Sequence, residues 1–178
     1  MKAISAATLI VIDRNPAALE LARKLGADHV IQSSEGDDSF VDKVKALTGD
    51  KGAEAVIDFV AEGGSTTTGV KLLRRAGNYY VVGYGENVNV PTIDIISTEI
   101  NFIGNLVGSY NGERPHLACT RVGLKWLTAA CADLAELMVL AAQGKVTLHT
   151  SQYKLADFQK AIDDLTAGKV RGRAILVP

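Results

Sequence analysis

The sequence lacks any long hydrophobic run. No apolar stretch among its 178 residues approaches the roughly 20 residues that a bilayer-spanning helix needs. The first ten residues also lack the apolar region and the cleavage site of a secretory signal. We therefore expect a cytoplasmic protein without a membrane partner.

Strong charge and metal-binding patterns are absent as well. Lys and Arg total 19 against 20 Asp and Glu, so the net charge of −1 provides no field that would favour nucleic acid. Cys119 and Cys131 have no partners at metal-finger spacing, so the sequence indicates neither a disulfide framework nor a zinc module. His29, His116 and His149 are scattered and form no ligand set. A small-molecule partner fits this composition better.

One stretch near the start of the chain predicts a strand, a turn and a helix. Residues 8–12 are β-rich and apolar, as in a strand buried in a parallel sheet. Asp13 ends this strand, Asn15 can cap the next helix, and Gly26 can close it. In a dinucleotide-binding sheet, an acid at the tip of the second strand binds the adenosine ribose. Alternatively, Asp13 only begins an Asx turn.

Strand and helix patterns then alternate, as in βαβ units, which predicts an α/β fold with a parallel sheet. The predicted strands are 28–32, 53–60, 78–83, 92–96, 102–107, 146–153 and 174–177. The predicted helices are 40–47, one that starts in the STTTG segment and is capped by Gly77, one in CADLAELMVLAAQGKV with Gly144 past its end, and 156–165.

Five motifs in sequence resemble the zinc-dependent, medium-chain alcohol dehydrogenases. They are VIDRNPAALELARKLGADHVI, AEAVIDFV, LLRRAGNYYVVGYG, NFIGNLVGS and LTAGKVRGRAILVP. The resemblance covers nearly the whole chain and implies an oxidoreductase that transfers hydride between NAD and an alcohol or aldehyde. It also implies a partial Rossmann-type domain over 1–108, and a C-terminal segment of the catalytic domain over 109–178.

The resemblance implies a set of cofactor-binding residues. Asp13 would bind the adenosine ribose and favour NAD over NADP. Arg173 would reach the pyrophosphate, although on spacing alone such an arginine is more often a solvated surface charge. The remaining implied positions are Arg14 and Asn15 on the adenine side, Phe59 and Val60 near the adenosine, Val82, Gly83 and Tyr84 beside the nicotinamide, and Leu106 and Val107 at the carboxamide.

The sequence departs from the family pattern at its start. The GxGxxG fingerprint has no counterpart, because Gly63 and Gly64 follow a later strand. The chain is therefore expected to begin inside the helix after that loop, without the first strand, the glycine loop or the family's zinc ligands. Residues 174–177 are expected to lack their sheet neighbours.

A missing first strand has a physical consequence. In the strand order 3-2-1-4-5-6 the first strand is central, so its loss leaves two unpaired edges. We predict either that residues 8–12 pair directly with 55–59 or that the chain is poorly stable. The family also forms dimers by strand pairing, and residues 92–96 match that region, which predicts a homo-oligomer.

An apparent insertion and the truncated pattern leave alternatives open. Residues 113–132 either prolong the next helix or form a partner-binding helix around Trp126. The chain is either the cofactor part of an alcohol dehydrogenase or an inactive remnant that binds nucleotides weakly or pairs with an intact relative. Zinc-free reductases of quinones or enoyl thioesters share the fold and form a third option.

Overall fold

The computed structural model describes residues 1–34, 36–85, 87–105 and 128–178, with the side chains of 128–133 excepted. Contacts divide the chain into two units, Met1–Ala130 and Cys131–Pro178. The elements are β1 (Ile10–Asp13), α1 (Pro16–Lys24), β2 (His29–Gln32), α2 (Ser39–Leu47), β3 (Ala53–Asp58), α3 (Ser65–Val70), β4 (Leu73–Val81), α4 (Thr92–Thr98), β5 (Asn101–Gly104), α5 (Thr128–Ala142), β6 (Thr150–Lys154), a 3-10 turn (Leu155–Asp157), α6 (Phe158–Thr166) and β7 (Arg173–Val177).

All described strands pair in parallel, which confirms the predicted α/β class. In the first unit, β1 pairs with β2, and β3, β4 and β5 form a second sheet in that order. This matches the doubly wound order 3-2-1-4-5-6 if β2 and β1 are its strands 3 and 2, and β3 to β5 are its strands 4 to 6. No described strand takes the place of strand 1.

The predicted direct pairing of residues 8–12 with 55–59 is wrong. Among the described strands, no ladder joins β1 to β3. The two sheets instead share an apolar core, in which Val41 and Val44 of α2 are buried with Ile31 of β2 and Leu72. Side chains from β1 and from β3 pack against this cluster, so α2 connects the two sheets through side chains alone.

The predicted first strand, turn and helix are confirmed. The Asn15 side chain accepts a hydrogen bond from the Ala17 N–H at 2.9 Å, which caps α1. Pro16 occupies the first helical position, where its missing N–H costs nothing. Leu19 is buried, and Gly26 follows the helix with φ of 96°. Before β1, the predicted helical start is a single turn closed from Ile4 N–H to the Met1 carbonyl.

The predicted helix capped by Gly77 is wrong beyond Val70. Leu72 is buried, and its carbonyl accepts a hydrogen bond from the Ala53 N–H at 2.7 Å, so the chain has already joined β3. Strand β4 therefore begins at Leu73, and Gly77 is buried within it. Pairing with β3 thus overrides the local helical pattern of LLRR.

The predicted strand at 92–96 is also wrong, because this segment is α4. Its isoleucines favour strands, but Pro91 precedes the helix with φ of −58° and Asp94 lies in the first turn. The proposed dimer contact through a strand at 92–96 is therefore not available. The predicted strand at 102–107 is confirmed as far as Gly104, the last residue of β5. Asn105 follows the strand, and residues 106 and 107 lie outside the described residues.

The second unit contains α5, β6, α6 and β7. Strand β7 pairs in parallel with β6 from Thr150↔Arg173 to Lys154↔Val177, so the expectation that 174–177 lacks neighbours is wrong. Gly144 and Gly168 follow α5 and α6 with positive φ, as predicted for helix ends. The apparent insertion at 113–132 lies outside the described residues, except for the backbone of the start of α5.

Membrane-spanning helices are absent from the part of the chain that the structure describes. None of its helices is long and apolar enough to cross a bilayer.

Candidate cofactor site

The carboxyl ends of β1, β3 and β4 carry most of the predicted site residues. Parallel strands end at one edge of a sheet, and ligands of open α/β sheets bind outside that edge. Asp13 ends β1, Phe59 follows β3, and Val82 follows β4. The predicted residues of the first unit therefore lie at the carboxyl ends of parallel strands. The contacts around them are made by Arg14 and by Asp58.

Asp13 is exposed at the tip of β1. One carboxylate oxygen, Oδ1, accepts a hydrogen bond from the Asn15 N–H at 2.7 Å, which is the Asx turn considered from the sequence. The second oxygen, Oδ2, has no hydrogen-bond partner among the described residues. The turn thus fixes the carboxylate and leaves one acceptor at the sheet edge.

Arg14 connects the tip of β1 with the loop after β3. A Cβ atom placed on Gly63 would lie 3.1 Å from Nη2 of Arg14. Gly63 itself has φ of 60°, a backbone conformation that suits glycine. The Arg14 carbonyl also accepts a hydrogen bond from Nε2 of Gln32 at 3.4 Å. The guanidinium therefore lies over the glycine turn that precedes α3.

Asp58 connects the ends of β3 and β4. Its backbone carbonyl accepts hydrogen bonds from the N–H groups of Val82 at 2.8 Å and Gly83 at 2.9 Å. Its buried carboxylate accepts from the N–H groups of Val60 and Ala61, at 2.8 and 2.9 Å. The turn after β3 and the first residues after β4 are thus held by one residue.

The same carboxylate is also bound by two hydroxyl groups. Oδ2 accepts hydrogen bonds from Oγ of Ser65 at 2.9 Å and from the phenol of Tyr79 at 2.7 Å. Burial by itself would raise the pKa of Asp58, but the bonds from Tyr79, Ala61, Val60 and Ser65 outweigh it and lower the pKa. Burial and the bond to Asp58 raise the pKa of Tyr79, so its phenol remains a proton donor.

Phe59 and Val60 project apolar surface from this fixed turn. Phe59 is 73% exposed and Val60 is 58% exposed, although they directly follow a strand with a buried end. Tyr84, after β4, is fully exposed. Exposed apolar side chains beside a sheet edge are typical of a surface that binds the flat rings of a ligand.

Two glycines allow the loops after β3 and β4 to approach closely. A Cβ on Gly83 would lie 2.4 Å from the carbonyl carbon of Val60, and one on Gly85 would lie 2.3 Å from the Ala61 oxygen. Any other residue would therefore push the two loops apart. Beyond them, a surface hollow is lined by Gly85, Asn87, Val88 and Asn89.

Comparisons with known proteins show the family of this chain. A family model described as zinc-binding dehydrogenase matches residues 1–120. The chain belongs to this family. It is 34% identical to an NAD-dependent alcohol dehydrogenase of Sulfurisphaera tokodaii, over 99% of this chain and 45% of the relative. It is 27% identical to a D-arabinose 1-dehydrogenase (NADP(+)) of Saccharolobus solfataricus, over 96% of this chain and 42% of the relative.

A solved structure supports the fold as well. The alcohol dehydrogenase of the archaeon Aeropyrum pernix superposes with a TM-score of 0.80 and 34% identity, covering 99% of this chain and 44% of that protein. This zinc-binding dehydrogenase chain thus spans less than half the length of the relatives that it matches, as its sequence predicted. The family assignment and the partial Rossmann-type fold are confirmed.

Three predicted residues remain: Leu106, Val107 and Arg173. Leu106 and Val107 fall outside the described residues. Arg173 is exposed at the start of β7 in the second unit, where its N–H donates to the His149 carbonyl at 3.0 Å. The predicted residues from Asp13 to Tyr84 thus follow the carboxyl ends of β1, β3 and β4 in the first unit, and their roles in cofactor binding stay predictions.

The family name implies zinc, which needs a group of nitrogen, sulfur or carboxylate donors. Within the described ranges, no three His, Cys, Asp or Glu residues are grouped so that they could hold a metal ion. Catalytic zinc sites use at least three protein ligands. The described residues therefore do not fit a zinc site, and no step through zinc is assigned to them.

Sequence reasoning missed Asp58 and Tyr79. Asp58 is the single acid in the second half of the apolar AEAVIDFV strand, and a buried acid needs hydrogen-bond donors. The sequence predicts Tyr79 only as a member of the strand at 78–83, yet the residue is 0% exposed. An unexplained acid in an apolar strand was the signal that could have indicated both.

Proposed function

We propose that this chain is the cofactor-binding part of an oxidoreductase that transfers hydride between NAD and a small alcohol or aldehyde. The observation that carries the proposal is the connected row at the strand ends. The Arg14 side chain lies beside Gly63 in the loop after β3, and Asp58 links the start of that loop to the residues after β4. A dinucleotide needs such a continuous edge, since it lies across several strand ends.

The row offers different chemistry along its length. At one end, Oδ2 of Asp13 provides an acceptor for a ribose hydroxyl. In the middle, Phe59 and Val60 offer exposed apolar surface, and at the other end Gly83 allows close approach to the backbone. A bound NAD would supply the hydride acceptor or donor at its nicotinamide. The residues of this row would bind and orient it.

NAD rather than NADP is the cofactor that we propose. An anionic carboxylate at Asp13 accepts hydrogen bonds from a 2′-hydroxyl but repels a 2′-phosphate. The relatives include an enzyme named for NADP, so the family alone does not decide the preference. The finer proposals follow from the resemblance: a cofactor part over 1–108, a catalytic-domain segment over 109–178, and a homo-oligomer.

Calorimetric titration of the chain with NAD and NADP tests this proposal. Wild type should bind NAD more tightly than NADP. Asp13→Ala should weaken NAD binding about 10- to 100-fold, the usual effect of losing hydrogen bonds to a charged group, and should reduce the preference for NAD. Asp42→Ala, at an exposed position of α2, is the matched control and should bind like wild type.

Two results would contradict the proposal. Failure of wild type to bind either dinucleotide would refute the cofactor site. Equal effects of Asp13→Ala and Asp42→Ala would leave a site but refute the role of Asp13. Hydride transfer to NAD from a panel of small alcohols, followed at the absorbance of the reduced nicotinamide, would then test the reaction class.

A further inference from the structure

Asp58 has more hydrogen bonds than a turn requires. An Asx turn after β3 needs only the two bonds from Val60 and Ala61. Asp58 also binds Ser65 at the start of α3 and Tyr79 in the middle of β4. Asp58 as a residue is 8% exposed, and Tyr79 is completely buried. A buried charge with four donors is costly to build, and its arrangement is fixed once built.

These bonds hold a backbone conformation that the chain would not adopt unaided. Ala61 has φ of 53°, in the left-handed region that residues with a side chain seldom adopt. Its N–H is one of the groups bound by the Asp58 carboxylate. The hydrogen bonds therefore compensate for the strain of the turn that presents Phe59 and Val60.

The network also determines where the loop after β4 lies. The Asp58 carbonyl binds the N–H groups of Val82 and Gly83, and the Tyr79 phenol ties the same strand to the carboxylate. Gly69 allows this contact, because a Cβ there would lie 2.6 Å from the Tyr79 hydroxyl oxygen. A shift of the carboxylate would thus be transmitted to both loops.

We propose that Asp58, with Tyr79, is a positioning residue that holds the two cofactor-binding loops in register with each other. This inference rests on the proposed function, because it assigns the loops at 59–61 and 82–84 to one dinucleotide. Asp58 does not contact the ligand. It acts through Val60, Ala61 and Gly83.

The test compares the binding of NAD with the binding of AMP. AMP is a fragment that would reach the Asp13 side and the 59–61 loop but not the loop after β4. A defect that only lowers the folded fraction weakens both ligands by the same factor, so the ratio of their affinities reports positioning rather than stability. All variants are measured where circular dichroism shows them to be folded.

Asp58→Asn should change this ratio. Its amide nitrogen cannot accept hydrogen bonds, so two of the four donors lose their acceptor. We expect NAD binding to weaken at least about tenfold, as when a binding wall is displaced by a fraction of an ångström, and AMP binding to weaken less. Asp42→Asn is the control for the loss of a charge.

Tyr79→Phe tests the same inference if Asp58→Asn fails to fold. It removes one donor and leaves the other three, so NAD affinity should fall about two- to fivefold, and again more than AMP affinity. Tyr80→Phe is its matched control. The Tyr80 hydroxyl has no hydrogen bond to the rest of the described chain.

The outcomes separate this inference from the proposed function. NAD and AMP affinities that are unchanged, or that fall by the same factor, in Tyr79→Phe and in a folded Asp58→Asn would overturn the positioning role and leave the cofactor site intact. A wild-type chain that binds no NAD would overturn both. A lower ratio of NAD to AMP affinity, with both controls unchanged, is the result that we expect.

Discussion

Replacing Gly83 by alanine tests the close approach of the two cofactor loops. The new Cβ would lie 2.4 Å from the Val60 carbonyl carbon, 2.6 Å from the Val60 oxygen and 2.7 Å from the Phe59 carbonyl carbon. Ordinary van der Waals contact begins at 3.4 Å, so the backbone must move by about 1 Å. All three atoms belong to the turn that Asp58 fixes, which leaves no flexible side chain to yield.

The loss of folding free energy caused by Gly83→Ala should lie near the upper end of the range for overpacked sites. Such insertions cost about 1–3 kcal/mol, and a rigid backbone neighbour favours roughly 2–3 kcal/mol. For a chain of this size, 1 kcal/mol lowers the melting temperature by about 2–4 °C, so we expect a decrease of about 4–12 °C. NAD affinity should fall as well, because the displaced turn carries Phe59 and Val60.

Thermal unfolding followed by circular dichroism, with NAD titration of the folded protein, measures both effects. Gly104→Ala is the matched control, because a Cβ at Gly104 meets no atom within 4 Å. Alanine there should be neutral, or stabilising by roughly 0.5–1 kcal/mol, as in an ordinary strand. Equal melting temperatures for Gly83→Ala and Gly104→Ala would refute the close approach of the loops.

Two further predictions concern the interior of the first unit. The folded pKa of Asp58 lies below its unfolded value of about 3.9, so its contribution to folding stability is complete above roughly pH 5 and is lost as the pH falls through the folded pKa. The urea midpoints of wild type and Asp58→Asn should therefore differ more at pH 7 than at pH 3. A difference that does not change with pH would contradict the ionised network. Val44 is 2% exposed, so Val44→Ala should lower the free energy of unfolding in urea by about 2 kcal/mol. Val139→Ala, on the exposed surface of α5, should change this free energy by less than about 0.5 kcal/mol. Equal effects would contradict the role of α2 in the core that the two sheets share.

Local signals predicted the first half of the fold well. The strand, cap and helix from β1 to Gly26 depend on neighbouring residues alone: a run of apolar residues, Asn15, Pro16 and a terminal glycine. The alternation of strands and helices then predicted the parallel pairing, since short βαβ connections allow little else. These features could be predicted because each is determined within about 20 residues.

The errors came from segments whose structure depends on distant contacts. Leu73 belongs to a strand because the Leu72 carbonyl binds Ala53, some 20 residues earlier, and no local pattern indicates that bond. Isoleucines in 92–96 suggested a strand, whereas Pro91 directed the segment into α4. Of the candidate site, the side chains at the strand ends were predictable, but the Asp58 network was not, since it joins β3, α3 and β4.

The separation of the two described sheets of the first unit shows which interaction prevails where no described strand joins β1 to β3. The carbonyls of Leu9, just before β1, and of Asp13, at its end, accept hydrogen bonds from His29 and Ser33 on the β2 side. Ile10 and Ile12 therefore direct their carbonyls to the other edge. Pairing this edge with β3 would require the strands to approach to about 4.8 Å. That movement would compress the core around Val44, which both sheets share. Close packing resists such compression, and exposed backbone groups can bind water instead. The α2 core therefore keeps β1 and β3 apart. It also keeps in place the edge along which we place the dinucleotide.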